Sequence, residues 1–214
     1  MEWNFFLRAL TGFIFALTVF STFFLLPSYC FSLLLTIFFF YIFLFEWPQL
    51  TNNNPFLYWL GLIFYLIIPF ICLIILNEST AYRPLVALTF VIAFSNDTVA
   101  YLVGKHWGIH KISPQVSPKK TWEGFFAGCS ASIISFGLFH KLALGYFDVV
   151  FTLFLGFLLA VTAFLSDLLE SYLKRKANIK DSGHILPGHG GLLDRLDSSL
   201  FLAIIIFILK NFLI

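Results

Sequence analysis

The sequence predicts an all-α, polytopic integral membrane protein with about seven transmembrane helices in one bundle. Its 214 residues are 60% hydrophobic and 20% aromatic, and only 11% are charged. The mean hydropathy is +0.93. A soluble domain carries about 25% charged residues, so this composition excludes an ordinary soluble fold. The net charge of +2 is too small to indicate a nucleic-acid partner.

Apolar runs of the length that crosses a bilayer place the helices. They lie near residues 4–26, 28–45, 55–76, 83–103, 122–142, 147–173 and 194–213. We expect the first helix to be retained, because the residues before Cys30 do not form a signal-peptidase site. No linker divides the chain, so we predict one membrane domain over 1–214, with scaffold helices in 1–90 and the polar motifs in 91–200.

Lysine and arginine concentrate in two loops, 104–123 and 174–195. Both loops follow even-numbered helices and therefore lie on the same side of the membrane. Short loops rich in Lys and Arg face the cytoplasm. We expect a bacterial inner membrane, with these loops on its cytoplasmic side.

Two acidic stripes flank the second loop. Asp167, Glu170 and Lys174 are spaced to share one face of a helix, and Asp194 and Asp197 repeat that spacing on the next helix. Carboxylate oxygens at a membrane face suit Mg²⁺, which commonly shares its shell with substrate phosphates. The alternative is a structural network of ion pairs, in which Arg175 and Arg195 neutralise the acids.

The loop between these stripes combines Lys180 with a glycine-rich run that includes Gly190 and Gly191. Glycines allow backbone N–H groups to approach a phosphate, and a helix starting after Gly191 would direct its positive end towards it. His189 either donates to phosphate or caps the turn. A glycine-rich loop alone is weak evidence for either reading.

A further polar group, Asn96 and Asp97, lies within the fourth apolar run. An acid inside a membrane helix is a candidate functional residue. Asp97 shares a helix face with Tyr101 and Lys105, so a structural contact between Asp97 and either residue is the alternative.

The run from Ser117 to Gly124 contains Lys119, Lys120 and Thr121. Pro118, together with Pro114 shortly before the run, predicts an ordered turn that leads into the fifth helix, with Thr121 as the N-cap. The functional interpretation is contact with a nucleotide or phosphate. The alternative is a topology anchor of positive charge, which this run by itself favours.

Taken together, these residues resemble the phosphatidate cytidylyltransferase (CDP-diacylglycerol synthase) family. The matching positions are Ser171-x-Leu173-Lys174-Arg175, Lys180-Asp181-x-Gly183, Leu186-Pro187-x-His189-Gly190-Gly191-Leu192 and Asp194-Arg195-Leu196-Asp197. Upstream matches are Asn96-Asp97-Thr98-x-Ala100-Tyr101, Ser117-Pro118-Lys119-Lys120-Thr121-x-Glu123-Gly124 and Glu46-Trp47. The resemblance therefore covers residues 46–197.

The resemblance implies transfer of CMP from CTP to phosphatidic acid, with release of pyrophosphate. In the family, acids matching Asp167 and Asp194 hold the metal, so the resemblance implies Mg²⁺ here, with or without a second cation. The catalytic set it implies is Asp167, Lys174, Arg175, Lys180, Asp194 and Asp197. The substrate-binding set is Asn96, Asp97, Lys119, Lys120, Thr121, His189, Gly190, Gly191 and Arg195.

The partners implied are CTP, phosphatidic acid and the lipid bilayer, and the sequence leaves a homodimer open. Two other functions compete with this one. A CTP-dependent polyprenol or phytol kinase would release CDP instead of pyrophosphate. A small cation transporter would place its acids along the depth of the membrane, whereas these acids cluster at one face.

Overall fold

The computed structural model describes residues 2–51, 55–144, 148–185, 188 and 190–214. These residues confirm an all-helical architecture with one small hairpin. The helices are α1 (Glu2–Phe24), α2 (Ser28–Tyr41), α3 (Trp47–Thr51), α4 (Pro55–Gly61), α5 (Ile68–Glu78), α6 (Arg83–His106), α7 (Trp122–Leu144), α8 (Val149–Lys176) and α9 (Leu193–Leu213). Since π-helical turns join α2 to α3 and α4 to α5, the described residues form the seven helical segments predicted from the sequence.

Six of the described helical segments are long and apolar enough to cross a membrane. They are Ser28–Thr51, Tyr58–Glu78, Arg83–His106, Trp122–Ala143, Val149–Lys176 and Leu193–Leu213. The apolar part of α1, Leu10–Phe24, is shorter. Large apolar side chains on these segments, such as Phe13 and Phe40, are exposed, as expected for surfaces that face lipid. The chain is an integral membrane protein.

Each π-helical turn lies just before a proline. The first, Ile42–Glu46, precedes Pro48, and the second, Leu62–Ile67, precedes Pro69. A proline ring clashes with the carbonyl four residues earlier and removes one N–H donor. A wider turn relieves that clash and lets the helix continue. The second helical segment consequently extends to Thr51, beyond the predicted end at residue 45.

The chain forms two compact units. Unit 1 contains Met1–Thr80 and Leu173–Leu196, and unit 2 contains Ala81–Tyr172 and Asp197–Ile214. In unit 1, α2 packs against α1 and α5. In unit 2, α6 packs along α7, and both helices contact the hairpin. The single domain predicted from the sequence stays a prediction.

The loop before α7 differs from the prediction of turns alone. Strands β1 (Lys111–Ser113) and β2 (Ser117–Thr121) pair antiparallel, with Lys111 opposite Thr121 and Ser113 opposite Ser117. Burial increases towards the end of β2, where Lys119 is exposed, Lys120 is half-buried and Thr121 is buried. The predicted N-cap is confirmed, because the Gly124 amide donates to Thr121 Oγ1 at 3.2 Å.

Glycines on α7 let it approach α6 closely. A Cβ on Gly124 would lie 2.6 Å from the Ala100 carbonyl oxygen, and one on Gly128 would lie 2.8 Å from Asn96 Oδ1. Small residues four apart are a common means of helix packing in membranes. Asn96 reinforces this contact by donating to Ser132 Oγ at 3.0 Å.

We expect Gly124→Ala to destabilise unit 2 by about 1–3 kcal/mol, because the added methyl group must push the two backbones apart. The measurement is thermal unfolding of the detergent-solubilised protein, followed by tryptophan fluorescence. Ser130→Ala, an exposed change on the same helix, is the control and should leave the midpoint unchanged. Equal midpoints for the two variants would show that the close approach at Gly124 contributes no stability.

Candidate active site

Three acids of unit 2 come together as an acidic triad, Asp167, Glu170 and Asp197. One carboxylate oxygen from each lies within 4.8 Å of the others. Asp167 and Glu170 lie one turn apart on α8, and Asp197 lies in the second turn of α9. The predicted convergence of the two acidic stripes is therefore confirmed for these three residues. Glu170, absent from the predicted site set, is fully buried.

Lys120 from β2 supplies positive charge to this triad. Its Nζ lies 2.8 Å from Asp167 Oδ2 and 4.8 Å from the centre of the Phe164 ring. Both charged groups are largely shielded from solvent, which strengthens their attraction relative to a surface pair. The sequence placed Lys120 among the phosphate contacts and gave no sign that it pairs with Asp167.

Hydrogen bonds within unit 2 fix the orientation of the remaining acids. Ser198 Oγ donates to Asp97 Oδ2 at 2.7 Å, and the Ser198 amide donates to Asp197 Oδ1 at 2.8 Å. Ser166 Oγ donates to the Asp197 carbonyl, and Ser171 Oγ lies 3.4 Å from Asp167 Oδ1. Asp97 thus belongs to the polar surroundings of Asp197, while Lys105 lies near the ring of Tyr101.

In unit 1, Asp194 is held by three donors. Lys174 Nζ lies 2.7 Å from its Oδ1, and the amides of Ser182 and Gly191 donate to its Oδ2 at 3.0 and 2.8 Å. The Asp194 side chain is only 8% exposed. Its carboxylate therefore links the end of α8, the loop of residues 177–192 and the start of α9. We call residues 177–192 the α8–α9 loop.

The amides at the start of α9 and just before it also bind a carboxylate of the protein. Glu46 Oε1 accepts from the Leu192 amide and Oε2 from the Leu193 amide, both at 2.7 Å. The sequence predicted that this helix start would face a phosphate. In the structure Glu46 accepts from the Leu193 amide, and the two preceding amides, those of Leu192 and Gly191, donate to Glu46 and Asp194 respectively. The predicted start of the helix after Gly191 is confirmed, because α9 begins at Leu193.

The other cations predicted for this region are exposed. Arg175 donates to the Ile179 carbonyl oxygen at 3.2 Å, and Lys180 and Arg195 have exposed side chains. Gly190 has a φ of 86°, a backbone conformation that favours glycine. His189 lies outside the described residues. The three exposed cations can reach an anionic ligand from solvent.

An apolar groove lies on α8 and the hairpin in unit 2, on a face of α8 other than the one that carries Asp167 and Glu170. Its volume is about 330 Å³. It is lined by Ser113, Val116, Leu165, Leu168, Leu169 and Tyr172. Leu168 directly follows Asp167 on α8, so this groove and the charged site share a helix.

Comparison with known proteins identifies the family. A sequence model described as the cytidylyltransferase family matches residues 2–213. The phosphatidate cytidylyltransferase of Rickettsia conorii is 41% identical over 174 residues, covering 78% of this chain and 75% of that protein. That of Rickettsia bellii is 41% identical over 172 residues, covering 78% and 74%. The Bacillus subtilis enzyme of the same name is 45% identical over 111 residues, covering 52% and 41%. Since the match spans nearly the whole chain, this protein belongs to the cytidylyltransferase family.

Proposed function

We propose that this chain transfers CMP from CTP to phosphatidic acid, using the acids and cations described above at the cytoplasmic face of the membrane. The activity is that of a phosphatidate cytidylyltransferase, a nucleotidyltransferase of phospholipid biosynthesis. The observation that carries it is the similarity to enzymes of that name over about three quarters of both chains. The cytoplasmic orientation is supported by the lysines and arginines of the two loops.

In the reaction, a phosphate oxygen of phosphatidic acid attacks the α-phosphorus of CTP. The bond from that phosphorus to the bridging oxygen breaks, so the products are CDP-diacylglycerol and pyrophosphate. The attacking group is already an anion, and no side-chain nucleophile or base is required. The protein's contribution is therefore to position two anions and to offset their charge.

The acidic triad fits a hard divalent cation. Three carboxylates within 4.8 Å of one another offer only oxygen donors, which Mg²⁺ prefers. Asp167, Glu170 and Asp197 would hold Mg²⁺, and Asp194 keeps the ligand role implied by the resemblance. When bound, the ion would neutralise phosphate charge and polarise a phosphoryl oxygen. A second cation is part of the same proposal.

The lysines and arginines fall into two groups, exposed side chains that can bind phosphate and shielded ones that pair with acids. The exposed Arg175, Lys180 and Arg195 would bind the phosphates of CTP and the departing pyrophosphate, because these side chains can reach solvent. Lys174 would retain Asp194 in place, and Lys120 would do the same for Asp167.

The remaining predicted contacts keep their assignments as proposals. Lys119 is exposed on the hairpin and can contact a nucleotide, whereas Asn96 and Thr121 are buried and bonded to neighbouring helix atoms. The apolar groove on α8 and the hairpin would accept part of an acyl chain of phosphatidic acid. A lipid substrate that keeps its tails in the membrane explains why nucleotide chemistry is built on helices of this kind.

The test uses purified protein in mixed micelles with phosphatidic acid and Mg²⁺, and CTP labelled at either the α- or the γ-phosphorus. We expect α-label to enter the lipid with one pyrophosphate released per CMP transferred, and γ-label to remain in water. EDTA should stop both the transfer of α-label to lipid and the release of pyrophosphate. Transfer of γ-label to a lipid, with CDP released, would instead identify a lipid kinase. Light scattering of the same sample would separate a monomer from a homodimer.

A further inference from the structure

Glu46 is an acid in an otherwise apolar segment, and the reaction described above does not use it. It ends the π-helical turn Ile42–Glu46 in unit 1 and is 0% exposed. Its neighbours Ile42 and Trp47 are also fully buried. A buried carboxylate is costly unless its oxygens accept hydrogen bonds. The Glu46 carboxylate therefore needs hydrogen-bond donors at this position.

Within the described residues, its hydrogen-bond donors come from the α8–α9 loop and the first residue of α9. Glu46 Oε2 accepts from Ser182 Oγ at 3.1 Å and from the Leu193 amide at 2.7 Å. Oε1 accepts from the Leu192 amide at 2.7 Å. The first amides of a helix have no partner within that helix, and a carboxylate there is stabilised by the helix dipole. Glu46 thus caps α9 from a distant part of the sequence.

Two glycines of the loop make room for this carboxylate. A Cβ on Gly183 would lie 2.6 Å from Glu46 Oε1, and a Cβ on Gly191 would lie 2.8 Å from the same atom. Any larger residue at either position would collide with Glu46. The glycines that the sequence associates with phosphate binding are therefore used, at least in part, for packing against an internal anion.

The same backbone that binds Glu46 also binds Asp194. Ser182 donates its hydroxyl to Glu46 and its amide to Asp194. Gly191 donates to Asp194, and the next amide, that of Leu192, donates to Glu46. The two carboxylates therefore bind the same two segments of the loop, Ser182 and residues 191–192, and a movement of either segment would change the orientation of Asp194.

We propose that Glu46 is a positioning residue for CMP transfer: it fixes the α8–α9 loop and thereby orients Asp194 without contacting either substrate. It also occupies the amides at the start of α9, so that phosphates bind to cationic side chains and not to this helix end. The positioning role rests on the proposed function. The hydrogen bonds by which Glu46 holds the loop, which we call the clamp, do not depend on it.

The test compares Glu46→Gln with Glu78→Gln in the full-length, detergent-solubilised protein. Gln has nearly the shape of Glu, but its NH₂ group would face a donor in place of an accepting oxygen. Glu78 is the control, because it is another glutamate of unit 1 whose carboxylate accepts hydrogen bonds from serine hydroxyls. Its donors are Ser28 and Ser32. We measure kcat, KM for CTP and phosphatidic acid, and amide hydrogen exchange without substrates.

For Glu46→Gln we expect kcat to fall about 10- to 100-fold, as when a group that orients a catalytic ligand is removed. Neither KM should rise by more than the factor by which kcat falls, because Glu46 touches no substrate and acts only through the loop that carries Lys180. Amides of residues 190–193 should exchange at least about tenfold faster, while those of α6 stay unchanged. Glu78→Gln should leave all of these quantities at wild-type values.

Several results would overturn the proposal. Wild-type kcat with unchanged exchange would show that the clamp is dispensable. A higher KM with unchanged kcat would make Glu46 a substrate contact. If Glu46→Gln does not fold, Ser182→Ala removes one donor and keeps the amide bond to Asp194, and a change below about twofold in kcat and exchange would also refute the role. Exchange needs no substrate, so it tests the clamp even if the wild-type protein transfers no CMP.

Discussion

Asp194→Asn is expected to abolish CMP transfer while leaving the protein folded in detergent. The Asp194 carboxylate accepts from Lys174 and from the Ser182 and Gly191 amides. An amide group would present N–H to at least one of these donors and would leave the Lys174 charge without its counter-ion. A proposed metal ligand would be lost as well. We expect kcat to drop by about 10³-fold or more, equivalent to about 4 kcal/mol in the barrier.

The control for this experiment is Asp148→Asn. Asp148 Oδ1 accepts from the Phe151 amide at 2.7 Å and caps α8. Asn is an equally good N-cap, so the same chemical change should leave activity near the wild-type value. Thermal unfolding of both variants tests folding. Near-normal transfer by Asp194→Asn would refute its assignment as a metal ligand and as a catalytic residue.

Asp167→Asn should produce the second large loss, for a different reason. Asp167 pairs with Lys120 and belongs to the acidic triad. The substitution removes one of three negative charges that would hold Mg²⁺. It also leaves the shielded Lys120 ammonium without its neutralising partner, which is costly in a low-dielectric environment. We expect a decrease in kcat of about 10²- to 10³-fold.

Metal binding measured without CTP separates this role from a structural one. Mn²⁺ binding, followed by its electron paramagnetic resonance signal, should weaken at least about tenfold in Asp167→Asn. Asp148→Asn again provides the matched control and should bind Mn²⁺ as the wild type does. Unchanged Mn²⁺ affinity together with low activity would mean that the triad organises the fold and that the metal binds elsewhere.

Helix positions were predictable because a bilayer demands long apolar runs, and these leave a strong signal in the sequence. The starts of α2, α6 and α7 match the prediction, and the Thr121 cap follows from a local rule. The stripe of acids on α8 and its counterpart on α9 were also visible as helical spacing. Local periodicity therefore accounts for most of the fold and for the composition of the acidic triad.

Contacts between distant segments could not be predicted in the same way. Nothing local links Glu46 to Ser182 or Lys120 to Asp167, since each pair meets only after the helices have packed. The hairpin was missed because Pro114 and Pro118 are typical of turns. Its strands pair at only two positions, Lys111 with Thr121 and Ser113 with Ser117, and so short a pairing leaves little signal in the sequence. The π-helical turns depend on how a proline clash is relieved, and that choice depends on packing as well as sequence.

The contact of Glu46 with the loop also has a consequence for biosynthesis. Ser182 follows Glu46 by 136 residues and Leu193 follows it by 147. At about 5–20 residues per second, a ribosome makes these donors roughly 7–30 s after Glu46. Glu46 therefore enters the translocon before any of its hydrogen-bonding partners exists. Closure of the loop onto this acid therefore has to wait until α9 has been made, and a chain that is still shorter would display an unpaired intramembrane acid to membrane proteases.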